Sequence, residues 1–275
     1  MLNQCKCFDV LPPKKFPSNF RSFLKRKFVY KKKPKIETNF GIKKNLYFRE
    51  YYECVFCGHL YSKHNLDISK IYSGKYIEAT YGSLERVKKR FNFIINLKKS
   101  ASDNKKRAIR VEKFIKSKNK KKKLSLLDIG AGIGVFAHEM KLKGFKAYGF
   151  ETDTNLKNHL KNTVKINLFN KNNKIKKFDL ISINKVLEHV SDPRLFLSKY
   201  KKYLNKDSYF YIEVPDTKAK INGKGSEEFA IEHHHVFTTF SLKNLLESVG
   251  LSIIIIKSIK EPSGKFTIYC FCKLV

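Results

Sequence analysis

No apolar run in this chain of 275 residues is long enough to cross a bilayer. The longest, Ile253–Ile256 with its neighbours, falls far short of the ~20 residues that a membrane helix needs. The amino terminus also lacks the apolar stretch of a signal peptide, carrying Cys5, Cys7, Asp9 and two prolines instead. The expectation is a soluble cytoplasmic protein. Arginine is scarce, with 8 residues among the 58 of Lys+Arg, so the net charge of +34 is nearly all lysine. Lysine in excess together with much Asn and Ile is what AT-rich coding writes by default. Arginine is the preferred reader of phosphates and bases, so its scarcity favours background composition over a nucleic-acid footprint. No internal repeat is visible. The six cysteines fall into three close pairs, Cys5/Cys7, Cys54/Cys57 and Cys270/Cys272. In a reducing compartment such pairs point to metal binding or core packing rather than disulfides.

What is present fits one α/β domain with a smaller appendage, since 42% hydrophobic and 13% aromatic residues can build a sizeable core. Residues 1–60 read as irregular, with Pro12, Pro13, Pro17 and Pro34, apart from a short strand before the turn Cys54-Val-Phe-Cys-Gly58. Residues 83–97 and 103–117 read as helices, the second capped by Ser102 and apolar along Ile109, Val111, Phe114 and Ile115. The run Lys118–Lys123 is a solvated connector. Strands and helices then alternate as βαβ units do. Strands are expected at Leu124–Ile129, Lys146–Phe150, Val164–Leu168, Phe178–Ile183 and Tyr209–Val214, with a terminal pair at Ser252–Ile259 and Phe266–Cys272. Helices are expected at Val135–Lys143, Asn155–Asn162, Pro193–Leu204 and Ser241–Val249.

Between the first of these strands and its helix lies Leu127-Asp-Ile-Gly-Ala-Gly-Ile-Gly134. Glycines there let the chain turn tightly and let a ligand approach the backbone. Asp128 precedes the first glycine, and Glu151 ends the second strand, where a carboxylate can accept both hydroxyls of a ribose. That suits NAD and S-adenosylmethionine alike. The third glycine comes one residue early for the GxGxxG of a dinucleotide site.

The loop resembles motif I of class I S-adenosylmethionine-dependent methyltransferases, and three further segments resemble that family in order. They are Phe178-Asp-Leu-Ile with Val186-Leu-Glu-His-Val-Ser-Asp-Pro193, then Tyr209-Phe-Tyr-Ile-Glu-Val-Pro215, then Glu232-His-His-His-Val-Phe-Thr-Thr-Phe-Ser-Leu242. The resemblance implies a Rossmann-like, doubly wound sheet with an antiparallel last strand. It implies S-adenosylmethionine as cofactor, with Asp128, Gly130, Ala131, Gly132 and Gly134 around its methionine portion. Glu151 would hold the ribose, and Asn184 and Lys185 would border the methyl group. The family's polar adenine contact after the third strand has no clear counterpart in Asn167–Asn170. Ser102–Arg107 resembles a segment that precedes motif I in some relatives and could lie over the cofactor.

Methyl transfer needs an aligned nucleophile and, where the acceptor is protonated, a base. His189 and His233 are the candidates, with Glu188 and Glu232 orienting them. Some relatives bind a divalent metal through Glu-x-x-Glu-His, but Lys185 stands at the first glutamate position and that metal is not carried over. Cys54-Val-Phe-Cys-Gly58 has the spacing of half a zinc ribbon, and Cys5 and Cys7 would complete a structural site of four thiolates. His59 or His64 could substitute for one of them. This resembles a zinc module that precedes many sugar and glycan methyltransferases. The expected organisation is a zinc-ribbon-like module over 1–66, a helical connector and cofactor lid over 67–123, and a cofactor-binding domain over 124–275. The expected acceptor is a small molecule, a sugar or a glycan. An RNA acceptor is the alternative, which the charge and the zinc module would suit. Against it, no aromatic-rich basic motif and no Asn-Pro-Pro-Tyr-type segment is present. A non-catalytic scaffold is the remaining reading.

Overall fold

The computed structural model describes residues 24–31, 42, 47–64, 80–170 and 177–275. Its centre is a seven-stranded sheet of β4 (Ser125–Ile129), β5 (Lys146–Phe150), β6 (Asn167–Leu168), β7 (Phe178–Asn184), β8 (Leu204–Pro215), β10 (Leu251–Lys260) and β11 (Phe266–Leu274). The spatial order is β10-β11-β8-β7-β4-β5-β6. Strands β6 to β8 run parallel across β4, whereas β11 is antiparallel to both β8 and β10. This is the mostly parallel Rossmann-like sheet with an antiparallel last strand.

Alternation along the central strands feeds two cores. Leu127, Ile129, Ile181, Ile183, Phe210 and Ile212 face one side, with helices α5 (Pro193–Lys201) and α6 (Thr239–Ser248). Leu126, Leu180 and Tyr211 face the other, with α2 (Asp103–Lys118) and α3 (Val135–Leu142). Helix α1 (Leu84–Ile95) lies beside α3 through Phe91. Polar residues interrupt the strands on the α2 side at Asp128, Ser182 and Glu213, all buried. A strand covered on both faces should read as a continuous apolar run, so these interruptions mark chemistry.

Local capping follows the sequence. Ser102 caps α2 by accepting from the Lys105 amide at 3.2 Å, as expected. Asp153 caps α4 (Thr154–His159), which widens into a π turn over Leu160–Val164. That extra turn takes up Val164, expected to open the third strand, which is reduced to Asn167–Leu168. Helix α5 ends at Lys201 rather than Leu204, because Leu204 already begins β8.

The amino-terminal region is not irregular throughout. β1 (Leu24–Tyr30), β2 (Arg49–Cys54) and β3 (Leu60–His64) form an antiparallel sheet, and β9 (His235–Val236), from much later in the chain, is its fourth strand. β1 escapes a sequence reading because Lys25, Arg26 and Lys27 break its apolar pattern. It is an edge strand with those charges exposed, a usual guard against unwanted pairing.

Cys54 and Cys57 lie on the tight turn between β2 and β3, both buried. The other two expected thiolates, Cys5 and Cys7, lie outside the described residues. His59 does not stand in for them: its Nδ1 bonds Ser241 Oγ and its Nε2 bonds His235 Nδ1, each at 3.1 Å. Cys270 and Cys272 are buried side by side in the core, as expected. Among the described residues no helix is long and apolar enough to cross a membrane.

Candidate active site

The glycine turn leaves β4 at Ile129 and is tied to the end of β5. The Gly130 and Ala131 amides both donate to the Phe150 carbonyl, at 2.8 and 3.1 Å. All three glycines have positive φ, yet their surroundings differ. A Cβ on Gly130 would stand 2.6 Å from Val186 Cγ2, and one on Gly134 2.6 Å from Leu160 Cδ2. Gly132 has nothing nearer than 4.0 Å. Two of the glycines therefore serve packing, and Gly132 is the one that leaves backbone open to a ligand.

Glu151 reaches back to this turn. Its Oε2 accepts from the Gly132 amide at 2.9 Å and its Oε1 from the Thr152 amide at 2.7 Å. Asp128 instead bridges β4 to β7: its Oδ1 accepts from Ser182 Oγ at 2.6 Å and from Asn184 Nδ2 at 3.1 Å. Burial raises the Asp128 carboxyl to about 7, against the pull of those hydrogen bonds and of Arg107. The other amide atom of Asn184, Oδ1, is buried without a hydrogen-bond partner. A buried acceptor left unmade costs ~1–3 kcal/mol, so a donor at this spot, such as an ammonium, would be rewarded. An open backbone cradle at Gly132, a carboxylate at Glu151 and an orphan acceptor at Asn184 fit the cofactor that the sequence implies.

Beneath this lies a charged network that the sequence reading did not anticipate. Arg107 and Arg110 of α2 both reach Glu213 of β8, Arg107 Nε at 2.6 Å and Arg110 Nη2 at 2.7 Å. Tyr211 Oη also donates to Glu213. Burial alone would raise the Glu213 carboxyl, but Arg107, then Lys185 and Arg110, hold it down at about 2. The available signal was periodicity. Arg107 sits four residues before Val111, on the apolar stripe of α2, where a cation is out of place unless it has a buried partner.

The candidate catalytic residues converge at the carboxyl ends of β7 and β8, where ligands bind in open α/β sheets. A 3₁₀ turn over Leu187–His189 presents Glu188 and His189, and the Glu188 carbonyl accepts from the His234 amide at 2.7 Å. His189 and His233 pack edge to face with ring centres 4.7 Å apart. The His189 Nδ1–H donates to the Glu232 carbonyl at 3.3 Å, and the His233 Nδ1–H to the Glu228 carbonyl at 2.8 Å. Backbone carbonyls, not the expected carboxylate of Glu232, orient both rings. That tautomer leaves the lone pair on Nε2 of each. Burial lowers His189 to about 4 and His233 well below its ordinary value, so both are neutral near pH 7. Burial raises the Glu188 carboxyl and lowers the neighbouring Lys185 ammonium. Lys185 holds a left-handed φ of 56° and donates Nζ to Thr267 Oγ1 at 2.7 Å. One ligand atom each from Glu188, His189 and His233 lies within 4.8 Å of the others, a spacing that could seat a cation.

The three histidines of the triplet part company. His233 faces a cavity, His234 packs on His64 with ring centres 5.8 Å apart, and His235 is buried against His59. The cavity has a volume of about 920 Å³ and reaches from Ile133 of the glycine turn past Lys185, His189 and His233 to α1 and Arg49 of β2. Tyr51 Oη donates at 3.2 Å to the Ala230 and His233 carbonyls, so the small sheet fixes the loop that carries His233.

Solved structures of similar fold include the plantazolicin methyltransferase BpumL in complex with SAH, at 16% identity and TM-score 0.53, over 76% of this chain and 98% of that one. Magnesium protoporphyrin IX methyltransferase (ChlM) from Synechocystis PCC 6803 with bound SAH shares 12% identity at TM-score 0.55, over 76% and 100%. An S-adenosylmethionine-dependent methyltransferase from Clostridium acetobutylicum shares 15% identity at TM-score 0.52, over 68% and 98%. No curated protein matches the chain in sequence. A family model described as a methyltransferase domain matches residues 89–255, more than half of the chain. The chain belongs to this methyltransferase-domain family and is an S-adenosylmethionine-dependent methyltransferase.

Proposed function

We propose that the enzyme methylates a small-molecule or sugar acceptor seated in the cavity, with His233 and His189 taking up its proton. The observation that carries this reading is the shared wall: one cavity is lined by Ile133 of the glycine turn and by both histidines. Its volume suits a small ligand. Similar folds in structures named for plantazolicin and for magnesium protoporphyrin IX agree with a small-molecule acceptor. When bound, S-adenosylmethionine supplies an activated sulfonium methyl group, so the protein has only to align an acceptor and remove a proton. Gly132 gives the cofactor access to backbone, Glu151 accepts ribose hydroxyls, and Asn184 Oδ1 accepts from the methionine ammonium. The neutral Nε2 of His233 or His189 receives the acceptor's proton, and the new imidazolium charge draws the neighbouring Glu188 carboxyl, raised by burial, toward its ionised form. The test is turnover on the true acceptor. His233→Asn and His189→Asn should lower kcat by ~10²–10⁴ while S-adenosylhomocysteine affinity, read by calorimetry, stays unchanged. Full activity in both variants would leave alignment as the only contribution of this cluster.

The amino-terminal metal is a separate proposal. Cys54 and Cys57 are buried on one turn that closes through Gly58 at a φ of 67°, which suits two ligands of a structural zinc completed by Cys5 and Cys7. Elemental analysis of protein purified without chelator should find about one zinc per chain. Cys54→Ser with Cys57→Ser should remove it, and metal-free wild-type protein would reject the site.

A further inference from the structure

Arginine is distributed unlike lysine. Among the described residues, three of seven arginines, Arg49, Arg86 and Arg90, line the acceptor cavity, whereas Lys89, Lys185 and Lys265 are the lysines that do, out of more than thirty. Those lysines are largely offset by acids: Lys89 pairs with Glu85 at 2.7 Å, Lys265 pairs with Glu227, and Lys185 lies near Glu213 and Glu188. Arg86 and Arg90 are one turn apart on α1, so they share a face, and among the described residues neither pairs with a carboxylate. Arg90 is propped against Phe93, its guanidinium 5.6 Å from the ring centre. At the inner wall the Arg49 side chain is buried, with its guanidinium 4.2 Å from the centre of the Tyr30 ring. Tyr81, Phe93 and Phe229 supply aromatic surface to the same cavity. A genome-wide lysine bias does not produce this pattern, because it would fill the cavity with lysine. Guanidinium forks match phosphate oxygens two at a time.

We infer that the acceptor carries a phosphate group, clamped by Arg86 and Arg90 at the mouth of the cavity, with a ring system lying on the aromatic wall. The inference rests on the cavity being the acceptor site, as proposed above.

The test uses the full chain saturated with S-adenosylhomocysteine and titrated calorimetrically with inorganic pyrophosphate at 0.15 M salt, close to physiological ionic strength. Wild-type protein should show one saturable site, weakened about tenfold or more by Arg86→Gln with Arg90→Gln. Both side chains are exposed on α1, so the fold should survive, and S-adenosylhomocysteine affinity should be unchanged. The conservative pair Arg86→Lys and Arg90→Lys should recover part of the loss. Uridine monophosphate should displace pyrophosphate where uridine does not. Absence of saturable binding, or equal binding by wild type and the glutamine pair, overturns the inference. So does displacement by a structured RNA at lower concentration than the mononucleotide, which would make RNA the occupant. Failure of S-adenosylhomocysteine itself to bind would strike the underlying functional reading, and it is read before any pyrophosphate is added.

Discussion

The two halves of the proposed site meet at the ends of β4 and β7 and are built in different ways. The cofactor half is made of backbone: a turn of eight residues, its amides tied to Phe150 and Glu151, with two glycines used for packing and one for access. The acceptor half is made of side chains from β2, α1, the 225–233 loop and the 3₁₀ turn at 187–189. A common cofactor can be met by a short, local, repeated solution. The proposed acceptor side is instead met by segments far apart in the chain.

The sharpest way to break the comparison is through the glycines. Gly130→Val sets a β-branched side chain at a φ of 68° and against Val186. Left-handed strain and overpacking together cost ~3 kcal/mol or more, much of the stability of an ordinary domain. Gly132→Ala meets open space and should cost only ~1–2 kcal/mol, yet it should weaken S-adenosylhomocysteine. Denaturant melts and calorimetry separate the two. If both variants lose stability equally, Gly132 is a packing glycine and the cofactor cradle is elsewhere.

Comparable in size is the clamp that joins α2 to the sheet. Arg107→Ala removes one partner of a buried pair and should cost ~3–5 kcal/mol. The linkage has a definite sign. Glu213 has a folded pKa of about 2 against an ordinary value of 4.5, so its stabilisation is present above 4.5 and is lost as pH falls toward 2. In Glu213→Gln the acid-induced loss over that window should shrink by about 3 kcal/mol. An unchanged acid profile would show that the pair is not charged in the folded protein.

Legibility in the sequence followed the same division. The order of strands, the capped helix from Ser102, the glycine turn and Glu151 could be read because each is signalled within a few residues. Asp128 was also legible from its place just before the first glycine, and His189 from its place after Glu188 beyond the fourth strand. What orients them was not. The carbonyls of Glu228 and Glu232 that hold His233 and His189 carry no side-chain signature. Arg49 is separated from its cavity neighbours by long stretches of chain, and β1 hides its apolar ends behind three cations. Only contact in three dimensions joins these pieces.

A smaller effect is expected at Glu151. Glu151→Ala should weaken S-adenosylhomocysteine by ~1.5–3 kcal/mol, the usual value of a hydrogen bond to a charged group. Because Glu151 also accepts from the Gly132 amide, Glu151→Gln should recover part of that loss through its remaining carbonyl oxygen. A glutamine variant as weak as the alanine one would assign the whole effect to charge rather than to shape.

The smallest expected effect tests whether position or total charge governs anion binding. Lys120, Lys122 and Lys123 are exposed on the connector before β4 and do not line the cavity. Changing all three to Gln removes more positive charge than changing Arg86 and Arg90. Surface substitutions of this kind usually stay within ~0.5 kcal/mol in stability. If the arginines form a site, the lysine triple variant should bind pyrophosphate nearly as wild type does, and raising the salt should weaken both similarly. If the lysine variant instead loses as much affinity as the arginine pair, the binding is diffuse attraction to a chain of net charge +34. The acceptor half would then have no anion specificity of its own.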